Sequence, residues 1–319
     1  MRRTLLALVG IFCFSSALWS QTSIAEKTEG MQKMEGYFDF YYDATTDKIW
    51  MEVDKFDQEI LYVSGLPAGI GSNDIGLDRN QLGSTKLLEF KRVGPKVMLE
   101  QPNYDYRAVS DNADEVKSVA EAFARSIIWG FKVAAEEDGK VLIDLTDFLL
   151  RDAHGIASRL QRGKQGSYRV DKSRSGIYMG RTKNFPKNTE FEATITFDGK
   201  ASGGNIRSVT PTADAITVRM HHSFVELPDN GYEPRVFDPR SGFNGLSYQD
   251  YATPIDQPLV KKFIRRHRIK KKNPNAKVSE AVEPIVYYLD RGAPEPIRSA
   301  LLEGASWWNQ AFEAAGFKN

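Results

Sequence analysis

The sequence predicts an α+β fold dominated by strands, and three observations carry that expectation. Phe191, Ala193, Ile195 and Phe197 alternate with Glu192, Thr194, Thr196 and Asp198, the two-residue period of a strand with one buried face. Ile216, Val218, Met220, His222 and Phe224 repeat that period on a second segment. Short β-branched and aromatic runs bounded by Gly, Pro and Asp recur through the first hundred residues.

Taken in order, residues 21–35 are polar and read as a loose leader. Strands are expected over 37–42, 49–53 and 59–63, with a turn at 43–47. A glycine-rich loop over 65–83 leads into a hairpin of 87–92 and 96–100 around Gly94-Pro95. Residues 114–128 place Val116, Val119, Ala120, Phe123 and Ile127 at helical spacing, with Asp111 or Asn112 as cap. A short strand at 140–143 and a helix over 145–160 precede the two alternating strands. A Pro-, Gly- and Asp-rich ordered loop spans 227–245. The run from Lys261 to Lys272 is strongly basic and reads as a solvated, partly helical connector. Residues 285–290 form a β-prone run, followed by a turn at 291–294. Apolar or small residues at Ile297, Leu301, Gly304, Ala305, Trp308, Ala311, Phe312 and Ala315 then trace a helix, with Gly316 where a C′ glycine belongs and Phe317 for its hydrophobic contact.

A chain of 319 residues allows roughly two domains at ~100–200 residues each. The expected organisation is a signal peptide (1–20), a leader (21–35), a β-rich α+β front domain (36–260), a basic connector (261–283) and the truncated start of a further domain (284–319). One strand and one helix cannot enclose a core, so the chain is expected to be the front part of a longer protein. Hydrophobic residues at 41% and charged residues at 27% match an ordinary globular protein. The net charge of +1 gives no global field for nucleic acid, and none is expected as a partner.

Arg2 and Arg3, an apolar stretch over 5–14 and the small residues Ser15, Ser16, Ala17 and Ser20 have the order of a secretory signal. Export to the periplasm or medium is therefore expected. The apolar stretch is shorter than the ~20 residues that span a bilayer, so no stable membrane span is expected after cleavage. An uncleaved anchor and, through Cys13, a lipoprotein signal are the alternatives. Cys13 is the only cysteine, so the mature chain would hold no disulfide and no thiolate ligand or nucleophile.

Four histidines are present: His154, His221, His222 and His267. No His-x-x-x-His pair exists, so a helix carrying two zinc-binding histidines cannot be built. His221 and His222 are neighbours on an expected strand and point to opposite faces, which suits one buried and one surface histidine better than a shared metal. The loop at 69–79 has clustered glycines but lacks the Lys-Ser/Thr of a phosphate cradle, and reads as structural, with Asp78 and Arg79 as a contact that holds it. Asp238, flanked by Arg235 and Arg240, is expected between two guanidinium groups in a stabilised turn. No catalytic, cofactor-binding or metal-binding residue is singled out.

Several segments resemble the N-terminal region of secreted bacterial zinc-dependent metalloproteases. They are the run from Gly71 to Arg79 (GSNDIGLDR), Val93-Gly94-Pro95-Lys96-Val97, Asn103-Tyr104-Asp105-Tyr106-Arg107 and His221-His222-Ser223-Phe224. Leu227-Pro228, Pro234-Arg235, the run from Asp238 to Gly242 (DPRSG) and Pro284-Ile285-Val286-Tyr287-Tyr288 belong to the same pattern. The closing WWNQAFEAAGF, from Trp307 to Phe317, resembles the first helix of a metzincin-like catalytic domain. Asn80 stands where that family usually has glycine, and Ser241 where valine is common. The extended His-Glu-x-x-His motif is not in this sequence, so no family zinc or catalytic residue can be carried onto it.

The resemblance implies the N-terminal, non-catalytic portion of an exported peptidase. Its zinc would activate water for peptide-bond hydrolysis in the catalytic part, and this chain would bind none and be inactive alone. The implied partners are that catalytic domain and a protein or peptide substrate. In a weaker variant the front domain restrains the enzyme through a carboxylate such as Asp238. The alternative is a non-enzymatic exported β-rich binding module.

Overall fold

The computed structural model describes residues 22–71 and 74–318. The expected signal peptide lies outside the described residues. Strand accounts for 41% of the chain and helix for 17%, so the β-rich expectation holds and the helical part is small. In chain order the first elements are α1 (Ile24–Lys27), β1 (Gln32–Met34), β2 (Phe40–Asp43), β3 (Lys48–Val53), β4 (Glu59–Ala68), β5 (Gln81–Val93), β6 (Lys96–Gln101), β7 (Tyr106–Arg107) and α2 (Ala113–Ala122). Next come β8 (Ser126–Glu137), β9 (Lys140–Asp144), α3 (Thr146–Leu149), α4 (Ile156–Arg162), β10 (Gly166–Ile177), β11 (Lys183–Phe185), β12 (Asn188–Ala201), α5 (Gly204–Val209) and β13 (Ala215–Glu226). The chain continues with β14 (Gly245–Asp250), β15 (Val260–Ile264), β16 (Ser279–Glu280), α6 (Ile297–Ser306), α7 (Trp308–Ala314) and β17 (Phe317–Lys318).

Two compact units result. The first takes the chain to Asn103 and again from Phe123 to Pro228; the second takes Tyr104–Ala122 and everything from Asp229. The expected boundary at 260/261 therefore falls at 228/229, and α2 with β7 is an excursion into the second unit.

The first unit is one sheet of twelve strands in the order β1-β2-β3-β9-β8-β6-β5-β4-β13-β12-β10, with β11 also on β12. Every pairing in it is antiparallel, as tight hairpins permit. Its two ends meet. Tyr37 N–H donates to the Phe185 carbonyl at 2.8 Å, and Asn184 Nδ2 donates to the carbonyls of Met34 (2.9 Å) and Phe38 (2.8 Å). That closure covers edges which would otherwise offer unpaired N–H and C=O groups.

The period of two sends the buried halves of β4, β12 and β13 into a common interior. Phe224 is the clearest case. It is fully buried, and the rings of Phe38, Tyr62, Phe90, Phe148 and Phe191 surround it at 5.4 to 6.3 Å between centroids. A second apolar cluster joins Leu66, Ile195, Phe197, Ile216 and Val218 to Ile156 and Leu160 of α4.

Several expectations change. The 21–35 leader is ordered: Ser23 and Glu26 form a capping box on α1, and Ile24 is buried against Trp50 and Leu142. The 114–128 helix stops at Ala122, because Ser126–Ile128 belong to β8, which is laddered on β6 and β9. Asn112 is its cap, accepting from Asp114 N–H at 3.0 Å. The 145–160 helix splits into α3 and α4 at Gly155, whose φ is +73°, and Asp152 accepts from the N–H groups of Ile156 and Ala157. The glycine-rich loop is shorter than expected, since β4 and β5 extend into it.

In the second unit β14 lies between β15 and β7. The basic run starts as β15, paired with β14, and is not a helical connector. Residues 285–290 form no strand, because no described segment supplies a ladder for them. The last helix breaks at Trp307 into α6 and α7. Gly316 has φ +87° and its N–H closes on Glu313 O at 2.9 Å, as a C′ glycine should. No described helix is long and apolar enough to cross a membrane.

Replacing Phe224 by Ala is expected to cost about 3–5 kcal/mol, because five rings cannot all close on the cavity. Urea unfolding should show a lower midpoint at unchanged slope; an unchanged midpoint would contradict this packing.

Candidate functional site

The two neighbouring histidines of β13 meet opposite environments, as strand alternation requires. His222 is fully buried. Its Nε2 lies 3.0 Å from the Leu149 carbonyl, which can only accept, so Nε2 carries the proton. Nδ1 is then bare and accepts from the Tyr62 hydroxyl at 2.7 Å. The Tyr62 oxygen accepts in turn from Arg151 Nη2 at 2.9 Å, and the Arg151 guanidinium lies 3.6 Å from the Phe148 ring centre. Burial, and next the Arg151 charge, push the His222 pKa down to about 3.

His221 faces the other way, where both ring nitrogens meet carboxylates. Nε2 is 2.6 Å from Glu190 Oε2, and Nδ1 is 3.5 Å from Glu192 Oε2. The cross-strand register brings them together, with His221 opposite Glu192 and Ser223 opposite Glu190. Ser223 Oγ and Asn188 Nδ2 also donate to Glu190. Glu192 is 2% exposed, and its nearest cation besides His221 is Arg219 at 3.4 Å, over which Tyr178 stacks. Burial alone would lower the His221 pKa, but the two carboxylates outweigh it and raise it to about 9. Two half-neutralised carboxylates, one histidine and one arginine make a self-compensated cluster, with both imidazole nitrogens already engaged.

The other sequence candidates are structural. The loop at 69–80 uses positive φ at Gly71, Gly76 and Asn80, and Gly76 O accepts from Gln81 and Arg159. Asn80 sits at φ +62°, and Asn is among the few residues besides glycine that tolerate the left-handed region. Asp238 meets one guanidinium, not two. Arg240 pairs with it at 2.5 Å, while Asp238 also accepts from Arg240 N–H. The basic run is largely engaged within its own unit. Lys262 lies over Phe237, Arg266 over Tyr232, Arg268 pairs with Asp229, and Lys272 with Glu280.

The second unit differs from the first in one respect that bears on function. All three apolar clusters lie in the first unit. The described residues of the second bury only Asp250, Ser279 and Gly316. Of 25 large hydrophobic side chains left exposed among the described residues, 20 belong to the second unit. Tyr287, Tyr288, Trp307 and Trp308 are 64 to 92% exposed. A groove of about 560 Å³ runs between the 284–287 segment and α7, lined by Ile269, Ile285, Tyr287, Trp308, Phe312 and Phe317. Large exposed apolar side chains beside an apolar groove are the features found at interaction sites and ligand-binding grooves.

Among the described residues no group of three or more His, Cys, Asp or Glu side chains is disposed to hold a metal ion. Sequence reasoning missed Glu190, Ser223 and Arg219 around His221, and Tyr62 with Arg151 around His222. The register that unites them is not visible in the sequence, although the alternation there places Glu192 on the polar face of β12.

The fold and its polar clusters thus define a β-rich, two-unit protein whose second unit presents an apolar face. The model for a domain of unknown function (DUF5117) matches residues 80–272, more than half of the chain, and the chain belongs to that family. A second domain of unknown function (DUF5118) matches residues 22–69. No curated protein and no solved structure matches. The two families share one sheet: β4, the last strand of 22–69, is laddered on β5 and β13, and β3 on β9.

Two outcomes follow. His221 has a folded pKa above its ordinary value of 6.5, so its share of stability is complete below about pH 6.5 and is lost as pH rises through about 9. Denaturation curves across that window should flatten in His221→Gln; parallel curves would remove the ion pairs from the account. Separately, residues 22–69 and 80–272 expressed apart should each fail to give cooperative unfolding, since the first lacks both partners of β4 and the second lacks β4 itself, leaving β5 and β13 unpaired between them. Circular dichroism melts check this, and a cooperative melt from either piece would refute the shared sheet.

Proposed function

We propose that this chain is the N-terminal, non-catalytic portion of an exported zinc-dependent metalloprotease. The observation that carries the reading is the uncovered apolar surface of the second unit, above all Tyr287, Tyr288, Trp307, Trp308 and the groove beside α7. A unit with three buried residues and twenty exposed large hydrophobic ones gains little from its own burial. A catalytic polypeptide seated on that face would remove it from water. The resemblance of residues 284–288 and 307–317 to the start of a metzincin-like domain names that polypeptide. The first unit, with its closed sheet and complete core, acts as the front domain.

Zinc, on this reading, is held by residues outside this chain and hydrolyses the peptide bond of a protein or peptide substrate there. Export follows from the charge and apolarity pattern of residues 1–20.

The gene read beyond codon 319 is expected to encode a helix with His-Glu-x-x-His. The longer product should cleave a casein substrate and lose that activity to a chelator. In the 319-residue chain, limited proteolysis should cut within 284–319 first, and the longer product should resist there. A stop codon at that point, or equal resistance in both products, would end this reading.

A further inference from the structure

We propose that His222 is an acid-sensitive latch: a proton gained at Nδ1 releases the 145–151 segment from the sheet of the first unit. The argument begins with hydrogen-bond directions. Leu149 O requires a proton on Nε2, and the Tyr62 hydroxyl requires a bare Nδ1. Only the neutral ring meets both demands. A second proton leaves the Tyr62 O–H without its acceptor, while the Tyr62 oxygen still receives Arg151.

Charge acts in the same direction. The groups acting on the ring are Arg151, from the 145–151 segment, and His221, behind it on β13. Both are cations. Tyr62 of β4 is the remaining titratable group in contact, and its ring and that of Phe148 pack at 6.0 and 5.8 Å. Among the described residues no carboxylate acts on His222, so an imidazolium there would be a buried, uncompensated charge beside another.

The ring binds what would be released. Leu149 gives its carbonyl to Nε2, and Arg151 reaches Tyr62 while also donating to Phe148 O. Leu145, Phe148 and Leu149 of this segment are fully buried, and they pack into the aromatic interior. Protonation therefore trades against the docking of the segment. A free histidine takes its proton near pH 6.5, so below that value each pH unit favours the released state by about tenfold until the buried ring itself titrates. His221 cannot compensate, because its pull has the opposite sign and is spent at alkaline pH.

The test uses the 319-residue chain. Hydrogen exchange, corrected for intrinsic rates, is followed from pH 7 to 4. The amides of Leu149 and Leu150, bonded to Leu145 O and Thr146 O, are expected to lose protection by about tenfold per pH unit, ahead of the amides of β12. His222→Gln should flatten that dependence. Should the variant fail to fold, the wild-type histidine resonances decide: the His222 signal should remain that of the neutral ring until the segment opens. A His222 signal that titrates near pH 6.5 with protection intact, uniform loss of protection across the sheet, or an unchanged dependence in His222→Gln would overturn the latch.

Discussion

The antiparallel pairing of β4 with β13 is the constraint on which the first unit depends. It sets Tyr62 opposite Phe224 and Ser64 opposite His222. The first pair places an aromatic ring against the most crowded ring of the interior; the second brings the buried histidine beside the tyrosine strand. The same pairing unites the stretch ending at residue 69 with the stretch beginning at residue 80, so two sequence families become one folded object. A one-residue slip would turn Phe224 to the polar face and bring Ser223 inward, with Glu190 following its partner. Register, set by the aromatic interior, thus fixes the polar clusters as well.

Much of this was legible where periodicity was strong. β12 and β13 were read from alternation alone, and the hairpin of β5 and β6 from Gly94-Pro95 between two β-prone runs. Gly316 announced its own left-handed φ. Other elements were not legible because tertiary pairing overrode local pattern. Ile127 kept helical spacing with Phe123, yet the ladder between β8 and β6 claimed it. Ser126–Glu137 and Gly166–Ile177 carry glycine, serine and charge at strand positions, so β8 and β10 have no clean period to read. Residues 285–290 show the converse. Their composition is that of a strand, but a strand needs a neighbour, and propensity cannot supply one.

For the candidate site the limit lay elsewhere. That adjacent strand residues face apart was enough to separate His221 from His222. It did not say which partners each would meet, because Glu190, Tyr62 and Arg151 arrive from 31, 160 and 71 residues away. Nor could composition reveal that the hydrophobic residues of the second unit remain uncovered. Their helical spacing in α6 and α7 matches that of a helix packed in a core.

The histidine pair shows why identity of side chain says so little about charge. Two imidazoles, one peptide bond apart, are held near opposite ends of their protonation range. On one face the carboxylates of β12 outweigh burial; on the other, burial is reinforced by an arginine with no anion in reach. The face of the sheet decides the sign, and register decides the face. The two extremes are therefore one consequence of a single alignment, and a shift in that alignment would erase both together.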